Sequence, residues 1–213
     1  MSDLRAGPTI VHIIDDDEGM RKSLQVLMQS SQLTSRAYES ARQFLDEADF
    51  SIPGCLVLDL RMPGMSGLEL LQQLKGKQTQ LPVIVVSGHA DVKAAVGSMK
   101  LGAVDVMLKP FEPKELVAAI RRLIAKSCDL HRLHAESAAV RERMESLTPR
   151  ELDLLRLVVA GYPNKQIAAE LGISIKTVAN HRASLMAKTQ ALNAADLARI
   201  STIAGMTPGK WGR

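Results

Sequence analysis

Five polar side chains of this sequence each follow a short apolar run of the kind found in β-strands. They are Asp15 and Asp16 after VHII, Asp59 after CLVL, Ser87 after PVIVV and Lys109 after VML. A carboxylate can attack phosphorus, while a cation, an ammonium and a hydroxyl stabilise the phosphoryl oxygens during transfer. Carboxylates that share a site repel one another, and Mg²⁺ relieves that repulsion because it prefers oxygen ligands. The pattern predicts a Mg²⁺-dependent phosphoryl-transfer site, provided that the four strand ends lie together.

The elements around these residues predict that the strand ends do lie together. Over the first 120 residues, β-type runs alternate with amphipathic helical patterns, which is typical of βαβ units and a parallel sheet. The predicted strands are Thr9–Ile14, Thr34–Tyr38, Gly54–Leu58, Leu81–Val86 and Val104–Leu108. The predicted helices are Glu18–Ser31, Ala41–Ala48, Gly67–Lys75, Ala90–Leu101 and Pro113–Lys126. Ligand chemistry in such a doubly wound sheet is expected at the carboxyl ends of the strands.

Taken singly, none of the five polar residues identifies a site. An acid at a strand end is most often the N-cap of the next helix, and a lone serine or lysine after a strand has no particular meaning. Asp17 and Glu18 fit that structural role, as the N-cap and a first-turn acid of the first helix. It is the occurrence of all five residues at the ends of four strands that favours chemistry over capping.

The C-terminal third has a different composition. Residues 1–120 carry a net charge of −3, residues 121–145 carry +2 and residues 146–213 carry +5, so only the last third favours a polyanionic partner. Four short helices are predicted there, at about 149–160, 164–171, 175–188 and 194–204. Thr148 and Glu151 form a predicted capping box, and Gly172 with Ser174 predicts a tight turn between the second and third helices.

The third of these helices has an inward and an outward side. Val178 and Leu185 face inward, whereas the outward side carries small residues, one amide and one lysine: Lys176, Ala179, Asn180, Ala183 and Ala187. Such a surface suits entry into the major groove of DNA. An ordinary four-helix interaction domain with solvated basic residues fits the composition about equally well.

Two domains are therefore predicted. The fold class is an α/β domain with a (βα)5 doubly wound parallel sheet, followed by an all-α four-helix domain of the helix-turn-helix type. We expect the first domain at residues 1–126, a helical linker at 127–146 and the second domain at 147–213. No apolar run approaches the roughly 20 residues of a membrane span. The start of the chain lacks the basic segment followed by an apolar segment that is typical of a secretory signal peptide. We therefore expect a cytoplasmic protein without a membrane partner.

The sequence of the first domain resembles the receiver domain of bacterial two-component response regulators, and most closely that of the FixJ-type subgroup. DD follows the first strand, DLRMPGMSGLEL the third, SGH the fourth and KPF the fifth. The resemblance implies that Asp59 is the phosphoacceptor and that Ser87 and Lys109 bind the phosphoryl oxygens. It further implies that Mg²⁺ is the cofactor, held by Asp15, Asp16, Asp59 and the backbone carbonyl of Arg61. A cis peptide before Pro110 is also implied.

One position departs from the receiver pattern. Receivers usually carry an aromatic residue two or three positions before the lysine, and it swings inward when the domain is phosphorylated. Val106 stands there in this chain. The phosphoryl chemistry needs no aromatic ring, but the usual rotamer switch cannot operate at Val106. A simpler interpretation is that Val106 fills core volume.

The C-terminal wording, LTPRE, NKQIA, LGIS and TV, resembles the LuxR-type helix-turn-helix domain over residues 147–205. The resemblance implies that Asn180 and Ala183 face bases, with Ala179 and Arg182 beside them. It also implies phosphate contacts, which position the protein without reading sequence, from Lys165, Lys176, Thr177, His181 and Lys188. Thr189 and Asn193 differ from residues common at the C-terminal end of that family, so the resemblance implies no DNA contact from these two residues.

The combined resemblance implies a DNA-binding response regulator. A sensor histidine kinase would phosphorylate Asp59, and the modified receiver would change its surface near residues 90–109, form a homodimer and alter binding to double-stranded promoter DNA. RNA polymerase is a further candidate partner. The alternative is a transcription regulator that works without phosphorylation, through a vestigial or ligand-modulated receiver. An enzyme of the phosphohydrolase type is not expected, because no second acid stands two residues after Asp59 and no cap domain is inserted.

Overall fold

The computed structural model describes residues 8–77, 79, 81–88 and 92–206. Five parallel strands form one sheet in the order β2-β1-β3-β4-β5. The strands are β1 (Ile10–Ile14), β2 (Ser35–Tyr38), β3 (Gly54–Leu58), β4 (Val83–Ser87) and β5 (Asp105–Leu108). All five predicted strands are therefore present. β4 begins two residues later than predicted, because Pro82 has no N–H to donate to a sheet.

Within the residues that the structure describes, five helices accompany the strands and four follow them. They are α1 (Glu18–Ser30), α2 (Ala41–Glu47), α3 (Gly67–Gly76), α4 (Val92–Lys100), α5 (Pro113–Glu145), α6 (Pro149–Val159), α7 (Asn164–Leu171), α8 (Ile175–Thr189) and α9 (Ala194–Ile203). Ala90, the first residue of one predicted helix, lies outside the described residues. No helix within the described ranges is long and apolar enough to cross a membrane.

Alternating side chains of the strands build two apolar layers, one on each face of the sheet. Val11 and Ile13 of β1 pack in one layer with α1 and α5, while Ile14 packs in the other with α2 and α3. Because the sheet is parallel and its central strands β1, β3 and β4 are buried on both faces, ligands are expected at its ends. The carboxyl ends carry the predicted site.

α5 is longer than predicted and runs without interruption through the residues assigned to a helical linker. The chain divides into two compact units between Arg132 and Leu133. Val140 and Met144, near the end of α5, belong to the core of the second unit together with residues of α6 to α9. The last turns of α5 thus contribute side chains to the core of the second unit.

His12 is a buried polar residue in the core of the first unit. Its side chain is 2% exposed, and its Nδ1 lies 3.0 Å from the Tyr38 hydroxyl. Burial, reinforced by the positive charge of Arg36, lowers the pKa of His12 from 6.5 to about 4. The folded protein therefore holds His12 neutral at physiological pH.

Acid should destabilise the first unit through His12. In the unfolded chain His12 takes up a proton near pH 6.5, but in the folded chain only near pH 4. The contribution of neutral His12 to the free energy of unfolding is therefore fully present above about pH 6.5 and decreases as pH falls. At pH 4 the loss is about 3 kcal/mol. Urea unfolding measured between pH 7 and 4 should show this slope, and His12→Phe should flatten it. The exposed His134 serves as control, because His134→Phe should leave the slope unchanged.

Candidate functional site

The strand ends bring Asp15 and Asp59 together. Asp15 directly follows β1 and Asp59 directly follows β3, and the two strands are neighbours in the sheet. The pairing continues past the strands, because the Asp59 amide donates to the Ile14 carbonyl at 2.9 Å. Both residues are buried, at 3% and 8% exposure, while Asp16 is exposed. Two carboxylates thus share one buried rim of the sheet.

Lys109 lies between the two buried carboxylates. Its Nζ donates to Asp15 Oδ2 at 2.7 Å and to Asp59 Oδ1 at 3.0 Å. Burial acts to lower the pKa of Lys109, but the hydrogen bonds to the two carboxylates outweigh burial and raise it. The ammonium is therefore held charged at the point where anionic oxygens would gather.

Backbone contacts place Lys109 beside Ser87. The Lys109 amide donates to the Ser87 carbonyl at 2.8 Å, and the peptide bond from Lys109 to Pro110 is cis, as the family resemblance implies. Ser87 is the last residue of β4 and is 6% exposed. The structure thus places Asp15, Asp59, Ser87 and Lys109 at adjacent strand ends, as the sequence predicts.

Local hydrogen bonds hold the acidic loops in place. Asp15 Oδ1 accepts from the Asp17 amide at 2.9 Å, and Asp59 Oδ2 accepts from the Arg61 amide at 2.6 Å. Asp17 caps α1, as predicted, by accepting from the Met20 amide. Arg21 was not predicted from the sequence. Its guanidinium donates to the carbonyls of both Asp15 and Asp16, at 2.7 and 2.9 Å, and so fixes the turn that carries them.

Of the three predicted carboxylate ligands of Mg²⁺, the structure places Asp15 and Asp59 side by side and leaves Asp16 exposed on the adjoining turn. Among the described residues, no group of three His, Cys, Asp or Glu side chains is arranged to hold a metal ion. Lys109 pairs with both Asp15 and Asp59 and balances one of their two negative charges, while Asp16 is exposed to solvent. The donors still suit Mg²⁺, which takes one or two carboxylates and completes its shell with water.

Val106 occupies β5, three residues before Lys109. It is half-buried and packs against the core layer that contains Leu58 and Val85. It also lines an open cavity of about 540 Å³ on the surface between α4 and β5. Val96, Met99 and Lys100 of α4 line the same cavity. The position that is usually aromatic thus contributes to an apolar surface depression.

The second unit contains the predicted helix-turn-helix, formed by α7 and α8. Gly172 ends α7 with a left-handed φ of 65°, which glycine adopts without strain. Ser174 caps α8 by accepting from the Thr177 amide at 3.0 Å. Val178 and Leu185 are buried, as predicted. The two helices and their turn therefore have the local structure that the sequence indicates.

The predicted DNA contacts of the second unit are mostly accessible. Exposed members of the set are Lys165, Lys176, Ala179, Asn180, Ala183 and Lys188, while Thr177, His181 and Arg182 are half-buried. Arg182 Nη1 donates to Asn164 Oδ1 at 3.0 Å, which ties α8 to the start of α7. Within the second unit, the exposed part of α8 thus combines small side chains with amide and basic groups.

Lys188 has a structural partner that the sequence did not reveal. Its Nζ donates to Glu151 Oε2 at 2.8 Å, and Glu151 is only 5% exposed. Ser184, one turn earlier on α8, donates to Glu151 Oε1 at 3.0 Å. Thr148 completes the capping box of α6 by donating to Glu151 Oε2 from both its amide and its hydroxyl. We name this set, Thr148, Glu151, Ser184 and Lys188, the Glu151 clamp.

The Glu151 clamp keeps its carboxylate charged. Burial acts to raise the pKa of Glu151, but the hydrogen bonds from Lys188, Thr148 and Ser184 outweigh burial and lower it to about 2. One carboxylate thereby joins the start of α6 to two successive turns of α8. The sequence predicted Glu151 only as a capping residue, because its contact with Lys188 spans 37 residues.

Comparison with known families matches both units. The protein-family model described as "Response regulator receiver domain" matches residues 11–121. The model described as "Bacterial regulatory proteins, luxR family" matches residues 145–201. The first match covers the strand-end site and the second covers the helix-turn-helix.

Known proteins also match this chain over most of its length. The transcriptional regulatory protein FixJ of Azorhizobium caulinodans is 42% identical, over 93% of this chain and 94% of its own length. FixJ of Rhizobium meliloti is 43% identical, over 93% of this chain and 97% of its own length. The solved structure of the response regulator StyR has a TM-score of 0.86 at 35% identity and covers 92% of this chain and 99% of its own.

Full-length FixJ from B. japonicum has a TM-score of 0.55 at 39% identity and covers 93% of this chain and 98% of its own. A receiver and a LuxR-type domain in one chain imply a histidine kinase as phosphodonor and promoter DNA as partner. The chain therefore belongs to the FixJ-type response regulators, the DNA-binding proteins in which a phosphorylatable receiver controls transcription through a LuxR-type domain.

Proposed function

We propose that Asp59 is the phosphoacceptor of this regulator. A carboxylate oxygen of Asp59 attacks the phosphorus of a phosphohistidine, the phosphorus–nitrogen bond breaks, and the histidine nitrogen leaves with the electron pair. Lys109 and Ser87 receive the phosphoryl oxygens. The observation that supports this assignment most is the Lys109 ammonium, which lies within hydrogen-bond distance of both Asp15 and Asp59. Incubation with Mg²⁺ and acetyl phosphate, followed by intact-mass measurement, tests the proposal.

Mg²⁺ is the proposed cofactor, with Asp15, Asp16, Asp59 and the Arg61 carbonyl as its protein ligands. When bound, it would neutralise negative charge on the phosphoryl oxygens. The excess of carboxylates over ammonium groups at the rim supports this assignment, since Lys109 balances only one of the two buried acids. Asp16 supplies a further carboxylate from the exposed side of the same turn.

Phosphorylation is proposed to drive homodimerisation through the surface formed by α4 and β5. Val96, Met99 and Leu108 are large apolar residues with about half of their surface exposed, at 48%, 49% and 48%. Val96 and Met99 line one surface depression together with Val106, and contiguous apolar surface is typical of interaction sites. RNA polymerase is a further proposed partner on the promoter, and the cytoplasm is the proposed location. The proposed domain limits are residues 1–126, 127–146 for the helical linker and 147–213.

A regulator that acts without phosphorylation is the second candidate. Val106 favours it, because this side chain cannot perform the aromatic rotamer change of other receivers. The preserved Asp15, Asp59, Ser87 and Lys109 arrangement favours the phosphorylated mechanism instead. The two candidates differ in whether DNA binding depends on Asp59.

For the DNA surface, we propose that Asn180, Ala179, Arg182 and Ala183 lie at base edges. Lys165, Lys176, Thr177, His181 and Lys188 are proposed to contact phosphates. Among the lysines proposed to contact phosphates, Lys188 is the one whose ammonium is shown bound to a carboxylate, that of Glu151. Lys176 is therefore the better probe of a phosphate contact.

Lys176→Ala should weaken binding to every duplex and lower the slope of log K against log salt by about 0.9 for each phosphate that the variant no longer neutralises. Asn180→Ala is the matched comparison, since it removes no charge and should weaken selected sites more than random DNA. Fluorescence anisotropy over a series of salt concentrations measures both effects. Equal losses on selected and random DNA for both variants would contradict the assignment.

A further inference from the structure

Ile175 is an exposed apolar residue on the first turn of α8. Its side chain is 51% exposed, although it is large and branched, and it does not belong to the core of the second unit. Its neighbours in the chain are the cap Ser174 and the exposed Lys176. A single exposed isoleucine is common on protein surfaces, so exposure alone does not indicate a function. Its position on the helix provides the further evidence.

The position places Ile175 beside the proposed base contacts. Ala179 and Ala183 follow Ile175 at i+4 and i+8, and residues at this spacing lie along one side of a helix. Both alanines are exposed and small, so neither covers the isoleucine nor keeps DNA away from it. In helix-turn-helix proteins, the first turns of the recognition helix are the part that contacts base edges.

The first turn of α8 is held rigidly. Ser174 Oγ and Thr177 Oγ1 lie 2.8 Å apart, and Ser174 also accepts from the Thr177 amide. A β-branched side chain in a helix has one strongly preferred rotamer, so Ile175 is held in a defined direction. Contact with a ligand would therefore cost little conformational entropy.

We propose that Ile175 reads thymine, by packing against the C5-methyl group of one thymine in each half-site. That methyl is the apolar group which a base pair offers in the major groove, whereas the other groups there are hydrogen-bond donors and acceptors. An aliphatic side chain gains nothing from a phosphate or from a polar base edge. This inference rests on the proposed role of α8 at base edges and adds a base preference to it.

Uracil substitution tests the contact, because it removes the methyl and keeps the base pair. The full-length protein is first treated with Mg²⁺ and acetyl phosphate. Duplexes that bind it are then selected from a randomised pool. Each thymine of the selected site is then replaced by deoxyuridine, one at a time. At one thymine per half-site the wild type should lose about fourfold in affinity, as expected for one buried methyl group. Ile175→Ala should bind the thymine and uracil duplexes equally.

Leu192→Ala is the matched control. Leu192 is also an exposed apolar residue of the second unit, at 90%, but it follows the other end of α8. Leu192→Ala should keep the uracil sensitivity of the wild type. The salt dependence of binding should be the same in both variants and the wild type, since no charge changes.

Three results would overturn the inference. If no thymine of the selected site responds to uracil, or if Ile175→Ala responds as the wild type does, Ile175 does not read a methyl group while the proposed DNA surface stands. If Asn180→Ala and Ile175→Ala both leave sequence preference unchanged, α8 is not at base edges and the proposed surface fails as well. Equal midpoints of thermal unfolding for the wild type, Ile175→Ala, Asn180→Ala and Leu192→Ala would confirm that these substitutions do not disturb the fold.

Discussion

Asp59→Asn should abolish the phosphoryl adduct that the wild type forms with Mg²⁺ and acetyl phosphate. The amide nitrogen and oxygen of Asn fill the same space, but a neutral amide is not a nucleophile towards phosphorus. Asp59 is one of the two carboxylates that meet Lys109, so the substitution leaves Asp15 paired with the ammonium. We expect loss of the adduct in intact-mass spectra and loss of dimerisation in size exclusion.

Asp17→Asn is the matched control for Asp59→Asn. Asp17 stands in the same acidic cluster and is exposed, but its carboxylate caps α1, a role that Asn performs equally well. This variant should be phosphorylated like the wild type. If Asp59→Asn still carried a phosphoryl group, another residue would be the acceptor. If the wild type formed no adduct with acetyl phosphate or a kinase, the regulator that acts without phosphorylation would be the better account.

Much of the site could be predicted because it depends on strand order and strand length. The apolar runs fix where β1, β3, β4 and β5 end, and a parallel sheet places those ends on one edge. Asp15, Asp59, Ser87 and Lys109 therefore meet as predicted. Local caps were predictable for a different reason, since a capping residue contacts an amide only two or three positions away in the chain.

The parts that the sequence did not predict depend on contacts for which the chain carries no recognisable pattern. Lys188 reaches Glu151 across 37 residues. Arg21 donates to the carbonyls of Asp15 and Asp16 from only five or six positions away, but an arginine in the first turns of a helix does not by itself indicate such a contact. The sequence places Lys109 at the same rim as the acids, but it does not indicate that the ammonium pairs directly with Asp15, 94 residues away in the chain.

Glu151→Ala should have the largest effect on the second unit. Removing the carboxylate leaves Lys188 without its partner and frees α8 from the start of α6. Loss of a buried ion pair costs about 3–5 kcal/mol at full burial, and the Lys188 side chain is 37% exposed, so we expect about 3 kcal/mol. DNA affinity should fall too, because Ser184 and Lys188 would no longer fix the orientation of the recognition helix.

Glu151→Gln separates charge from shape. Because the pKa of Glu151 is lowered from 4.5 to about 2, the carboxylate stabilises the fold fully above about pH 4.5, and this contribution is lost as pH falls towards 2. The wild type should therefore exceed Glu151→Gln in stability at pH 7, and the difference should shrink in acid. Urea unfolding at several pH values measures both curves. A difference that stays constant down to pH 2 would show that the charge of Glu151 does not stabilise the fold.

Lys188→Met distinguishes the two roles that Lys188 could have on α8. If its ammonium serves only the Glu151 clamp, the variant loses stability and the salt slope of DNA binding stays as in the wild type. If it also contacts a phosphate, the slope falls as it does for Lys176→Ala. The double variant Glu151→Gln/Lys188→Met should lose less stability than the two single variants combined, since each single change already breaks the same ion pair. Additive effects would mean that the two side chains stabilise the domain independently, and the Glu151 clamp would not be the feature that orients α8.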